Sequence, residues 1–193
     1  MIGDFRKDGS FDCGLICGDM GPSYRLRGMS IQDILFVPPE EKNFFYSRFG
    51  YSLRLGLLAL SFAIFFGIPA GVISALKQNT VVDYASLFIA TVGISVPSFV
   101  IAIFLIIIFA SWLHWVKIIP RSWDDLSVWV LPAVILGFGT MANTTRLTRA
   151  SVLEVLRHDY VRTARAKGLG EFLVVIRHIL RNSLIPVVTL LGP

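Results

Sequence analysis

Few residues in this 193-residue chain have chemistry to offer. Cys13 and Cys17 stand close together, and histidines occur at His114, His158 and His178. No H-E-x-x-H or C-x-x-C spacing prepares them as metal ligands. The histidines lie far apart in different settings, and each reads as an interfacial or surface residue. For the cysteines, a local disulfide and two free thiols both remain open. No G-x-x-x-x-G-K-[ST] occurs, so the chain carries no P-loop for ATP. Catalytic residues, a metal and a cofactor are therefore not expected, and the chain does not read as an enzyme.

The informative stretch is Arg146–Pro186. Residues 146–193 hold eight Lys/Arg against three Asp/Glu, which is all of the chain's surplus charge of +5. Asp159 suits the N-cap of a short helix over Tyr160–Lys167. Gly168 suits the C′ position that follows it, where positive φ is needed. Arg165 and Lys167 fall in the last turn, where cations suit the helix dipole. A second helical stretch from Glu171 leads back towards apolar sequence. Val152, Leu156, Tyr160 and Ala164 repeat every fourth residue, but Leu153 and Val161 break the stripe, so no clean amphipathic face is expected. The small residues Thr163, Ala164 and Ala166 would permit close approach by a partner. Such a segment can dock on a protein, or it can rest on anionic headgroups. The residues alone support both readings.

The elements that must position this segment follow from composition. The chain is 54% hydrophobic and only 16% charged, against about 25% charged in soluble domains. That excludes disorder and disfavours a soluble enzyme. A bilayer core needs about 20 apolar residues in a helix. One span is expected from Leu53 to Leu76. A second is expected from Tyr84 to Leu113, tilted or bent at Pro97. A third, short one is expected from Val128 to Asn143. A fourth apolar stretch starts near Ser183 and stops after eleven residues, at Pro193. Pro69, Pro97 and Pro132 place one helix-kinking residue in each span, with glycines nearby for close packing. Deep inside the spans no Asp, Glu, Lys or Arg is read, which counts against a self-powered proton or ion pump. The fold class expected is an all-α polytopic membrane protein.

Orientation follows from charge and tryptophan. The basic block should lie in the cytosol. Trp112, Trp115, Trp123 and Trp129 flank the second loop and should form an aromatic belt at the opposite interface. Residues 1–52, polar and rich in turn signals, then fall outside as a separate segment. The Lys77–Asp83 loop carries one charge of each sign and does not decide.

One family matches these residues. The run Asp159-Tyr-Val-Arg-Thr-Ala-Arg-Ala-Lys-Gly168, followed by Arg177-His178 and Arg181-Asn-Ser-Leu-Ile-Pro186, resembles the cytoplasmic loop of dipeptide/oligopeptide-type ABC importer permeases. Their E-A-A-x-x-x-G loop holds a helix that docks on the ATPase subunit. Gly168 falls on the loop's glycine, Ala164 on its second alanine and Thr163 on its first. Arg162 stands where the wider superfamily has glutamate, as is usual in the peptide branch. Gly18-Asp-Met-Gly-Pro-Ser-Tyr24, Gly67-Ile-Pro69, Gly93-Ile-Ser-Val-Pro97, Leu131-Pro-Ala133 and Arg146-Leu-Thr-Arg-Ala150 also follow the family's order.

The resemblance implies a permease domain over residues 53–193, with its cytoplasmic loop at about 146–182. It implies an ATPase-docking loop of Asp159, Tyr160, Arg162, Thr163, Ala164, Arg165, Ala166, Lys167 and Gly168. It further implies ABC ATPase subunits, a second permease paralogue and an extracytoplasmic solute-binding protein as partners, besides the lipid bilayer, and no nucleic acid. The location implied is the cytoplasmic (inner) membrane of a prokaryote. Substrates in the family include dipeptides, oligopeptides, nickel chelates and some sugars, and no substrate contact can be assigned. Family permeases have six spans. This chain corresponds to the second, third and fourth and the start of the fifth, so it is expected to be a fragment. Two alternatives remain: a membrane-anchored basic interaction protein, and a non-functional remnant.

Overall fold

Apolar runs become helices here because only a helix satisfies its backbone hydrogen bonds within itself. The computed structural model describes residues 4–5, 11–12, 20, 30–38, 44–116 and 126–191. Cys13, Cys17, the Gly18–Tyr24 motif apart from Met20, and Trp123 lie outside the described residues. The chain divides into two compact units, Met1–Leu55 and Gly56–Pro193.

In the first unit, Asp4–Phe5 pairs antiparallel with Phe11–Asp12. Helix α1 (Ile31–Phe36) begins with a reciprocal capping box between Ser30 and Asp33, which satisfies two orphan donors at once. Phe36, Phe44 and Phe49 cluster, their ring centroids 5.1–6.3 Å apart. The Arg54 guanidinium lies 5.0 Å from the centre of the Tyr46 ring, a cation–π contact.

Helix α2 (Arg48–Leu76) starts before the expected Leu53. The reason is Ser47, whose buried hydroxyl accepts a hydrogen bond from the Gly50 amide at 3.1 Å and so caps the helix. Pro69 lies within it without breaking it. The chain turns at Asn79, in left-handed conformation with φ 63°, and enters α3 (Val81–Ser95).

The second expected span bends at Pro97, so sharply that the helix breaks there. Helix α3 stops, Val96 is extended at φ −85° and ψ 128°, and α4 (Ser98–Trp112) departs at 110°. The physical cause is Pro97, which lacks a backbone donor and forces the preceding residue out of helical conformation.

Helix α5 (Leu126–Leu156) runs far past Asn143, where the apolar run ends. Its polar residues do not stop it because they bond back onto the helix. Thr144 and Thr145 donate to the carbonyls of Thr140 and Met141 at 2.8 and 2.9 Å. Asn143 donates to Gly139 at 3.2 Å. Pro132 sits inside α5. Trp129 is 6% exposed, whereas Trp112 and Trp115 are open. Trp129 therefore packs into the interior instead of joining a belt.

After the short α6 (Asp159–Ala166), α7 extends over Glu171–Leu191 and is long and apolar enough to cross a bilayer. It begins well before Ser183 because charged residues near a helix end interrupt the hydropathy but not the helix. Its middle, Val174–Leu180, is π-helical. The buried residues Val174, Ile179, Ser183 and Val187 show why: the wide turn supplies one five-residue step that brings Val174 onto the same face. The all-α polytopic architecture is thus present, with α2, α5, α7 and the bent α3–α4 pair as its apolar elements.

Small residues set the packing around α5. A methyl group on Gly67 would meet Thr144, one on Gly71 would meet Thr145 and Thr148, and one on Gly137 would meet Ala59. These contacts rise together in number, so α2 and α5 run parallel. Gly93 meets Phe138 and Ala142, and Asp83 meets Arg149, so α3 runs antiparallel to α5. Lipid tails are as apolar as leucine, so such close approaches carry helix association.

A Cβ on Gly71 would lie 2.6 Å from the Thr145 carbonyl oxygen, and backbone cannot yield. Gly71→Ala is expected to destabilise the detergent-solubilised protein by about 1–3 kcal/mol. Gly56 has nothing within 4 Å of its Cβ position. Gly56→Ala should therefore be neutral or gain up to about 1 kcal/mol from helix propensity. Thermal-unfolding midpoints of the two variants check the contrast.

Candidate functional site

The expected docking segment folds into α6, and its polarity sorts onto two sides. Val161 and Ala164, at i and i+3, are 0% and 5% exposed. They pack into a cluster with Ala75 of α2, Val152 and Val155 of α5, and Val174 and Ile179 of α7. Arg162, Thr163, Arg165, Ala166 and Lys167 are exposed. A clean amphipathic face therefore exists. Counting every fourth residue from Val152 misses it because the chain breaks at Arg157–His158, between two separate helices. The break also turns Ala164 inward, so its methyl belongs to the seat and only Thr163 and Ala166 remain as small outward residues.

The start of α6 differs by one residue from expectation. His158 is the extended cap residue, at φ −70° and ψ 143°, with no side-chain cap bond. Asp159 is the first helical residue, where its carboxylate still favours the positive end of the helix. The His158 ring stacks on Tyr160, with centroids 5.5 Å apart. The Tyr160 hydroxyl accepts a hydrogen bond from Asn182 Nδ2 at 2.8 Å, which ties the start of α6 to α7. Arg162 and Asp159 approach to 3.7 Å, both highly exposed, a pair of small energetic weight.

The end of α6 is fixed by backbone. Lys167 N–H donates to the Thr163 carbonyl at 3.1 Å, and Gly168 N–H donates to Arg165 at 2.9 Å. Gly168 takes φ +77°, the left-handed conformation that glycine reaches without cost. The reversed chain places Glu171 beside Arg165, joined by two hydrogen bonds of 3.1 and 2.6 Å. The Glu171 carboxylate pushes the Arg165 guanidinium above its ordinary value. The product is a short helix seated through Val161 and Ala164, with Arg162, Arg165 and Lys167 on its exposed side.

A second constellation was not legible in the sequence. Asp83, read there as a loop charge, is 1% exposed and paired with Arg149 at 2.7 Å. The partners stand 66 residues apart. The one local signal is an acidic residue in the first turn of a helix beside a turn. Among the remaining expected positions, Pro69 and Pro132 lie inside helices and Pro97 lies at the 110° break.

Residues 67–193 match the family model of the binding-protein-dependent transport system inner membrane component. The chain is 40% identical over 178 residues to the oligopeptide transport system permease protein OppB of Escherichia coli (strain K12), an alignment covering 91% of this chain and 54% of that protein. It is 42% identical over 179 residues to the dipeptide transport system permease protein DppB of Bacillus subtilis (strain 168), covering 92% and 54%. The chain spans about half the length of the curated relatives it matches. It belongs to the binding-protein-dependent transport system inner membrane component family, whose members are multi-pass inner-membrane permeases and not enzymes.

Proposed function

We propose that this member of the inner membrane component family serves in the membrane-spanning part of an ATP-driven peptide importer, and that α6 is the knob it offers to a separate ATPase subunit. The observation that carries the reading is the seating of α6. Val161 and Ala164 fix it on α2, α5 and α7, while Arg162, Thr163, Ala166 and Lys167 face outward. A push on the knob is thereby delivered to three apolar helices at once. The peptide substrate is inferred from the relatives, which are an oligopeptide and a dipeptide transport system permease protein. A second permease and an external solute-binding protein complete the assembly in this reading. Closure of the ATPase would tilt the seated helices and open the path alternately to each side.

The test uses Ala166, which is exposed on the outer face of α6. In native membranes, and with Cys13 and Cys17 replaced by serine so that it is the single thiol, Ala166→Cys should resist an impermeant maleimide added to intact cells. It should react in inverted vesicles, and bound ATPase should shield it there. Labelling from outside intact cells, or reaction indifferent to the ATPase, would reject the docking role.

A further inference from the structure

The Asp83 carboxylate joins three segments that sequence keeps apart. It accepts hydrogen bonds from Ser74 Oγ at 2.5 Å, from the Asn79 amide at 3.0 Å, and from Arg149 Nε and Nη2 at 2.7 and 2.8 Å. An ionised carboxylate has about four lone-pair sites, and here all are filled. Ser74 belongs to α2, Asn79 to the α2–α3 turn and Arg149 to α5. The Arg149 contact is side-on and two-pronged, a geometry that fixes orientation as well as distance.

The position of this knot matters more than its strength. Ala75, beside Ser74, belongs to the cluster that seats α6, and Val72 packs against it. Val152 and Val155, about one and two helical turns beyond Arg149, belong to it as well. The knot therefore bridges α2 and α5 directly beside the seat. Asp83 itself lies on α3, which supplies no residue to the seat cluster and leads to the Pro97 break and α4. Close packing at small residues brings these helices together. The two-pronged ion pair adds a directional contact between α3 and α5.

We propose that Asp83 and Arg149 are a positioning pair that carries displacement of the α6 seat into the α3–α4 arm. This rests on the docking role proposed above, and the two can fail separately. Both residues act through the helices they join and touch no substrate.

The experiment compares Asp83→Asn, Arg149→Lys and Ser74→Ala in native membranes. Three quantities are read: ATPase co-purification, ATP hydrolysis and peptide uptake. Arg149→Lys keeps the buried charge compensated but cannot reproduce the fork, so it guards against simple misfolding. Asp83→Asn and Arg149→Lys are expected to keep co-purification within about twofold while uptake falls tenfold or more and hydrolysis continues. Ser74→Ala, which removes one of the four hydrogen bonds, should lose uptake only a few-fold. Normal uptake in Asp83→Asn and Arg149→Lys would overturn the proposal. Loss of membrane level or of ATPase binding in Arg149→Lys would also overturn it, leaving the pair a folding element. If the unsubstituted protein retains no ATPase, the docking role fails instead.

Discussion

Replacing Gly168 by valine is expected to weaken ATPase association and uptake about tenfold or more while leaving membrane insertion intact. Gly168 sits at φ +77°, and a β-branched residue clashes there through its Cβ. The strain is of order 1–3 kcal/mol. Nothing lies within 4 Å of a Cβ at this position, so the cost is conformational and not steric crowding by neighbours. The turn would relax by extending or tilting α6, which would pull Arg165 away from Glu171 and misdirect the outer face. Because about 1.4 kcal/mol is a factor of ten in an equilibrium, co-purification should fall about tenfold or more. Gly168→Asn should retain most binding, since asparagine tolerates the left-handed region. Arg165→Gln, which breaks an exposed pair worth about 0–1 kcal/mol, should have a small effect. A normal Gly168→Val together with a crippled Arg165→Gln would mean that charge, and not the shape of the turn, governs the contact.

Val161→Asp should be as damaging by a different route. Val161 is fully buried in the α6 seat. An unpaired carboxylate there costs several kcal/mol, more than a short helix can recover from its other contacts. The helix is expected to leave its seat, and ATPase co-purification should disappear with it. Val161→Ala removes only two methyl groups, at about 0.8 kcal/mol per buried carbon, and should weaken association by about ten- to twentyfold. Thr163→Asp, on the exposed side of the same helix, separates burial from charge. If Val161→Asp binds normally, α6 is not held by the cluster. If Thr163→Asp matches it in severity, charge and not unseating is responsible.

The boundaries of α6 show how sequence and structure divide the information. Gly168 was legible because one residue type answers one backbone demand. The sequence points to Asp159 as the cap because its side chain suits that role, while in the structure the backbone at His158 makes the turn. Ala164 looked like a contact residue because it is small. In the structure its size lets α6 lie close to α2, α5 and α7, which no local pattern announces.

The spans divide in the same way. The apolar runs, the basic block and the ordered motifs determined an all-α membrane protein of this family, because bilayer solvation acts on each residue almost independently of its neighbours. Local chemistry likewise marked Pro97 as a place where a helix cannot continue unaltered. Only the tertiary structure decided that the chain breaks there by 110°, that α7 reaches back to Glu171 through a π-turn, and that Trp129 faces inward. It alone paired Asp83 with Arg149 across 66 residues. The reason is that a buried charge is tolerable only with its partner in place, and the partner's position depends on the packing of α2, α3 and α5 together. Until those helices meet, Asp83 is one loop charge and Arg149 one cation among many.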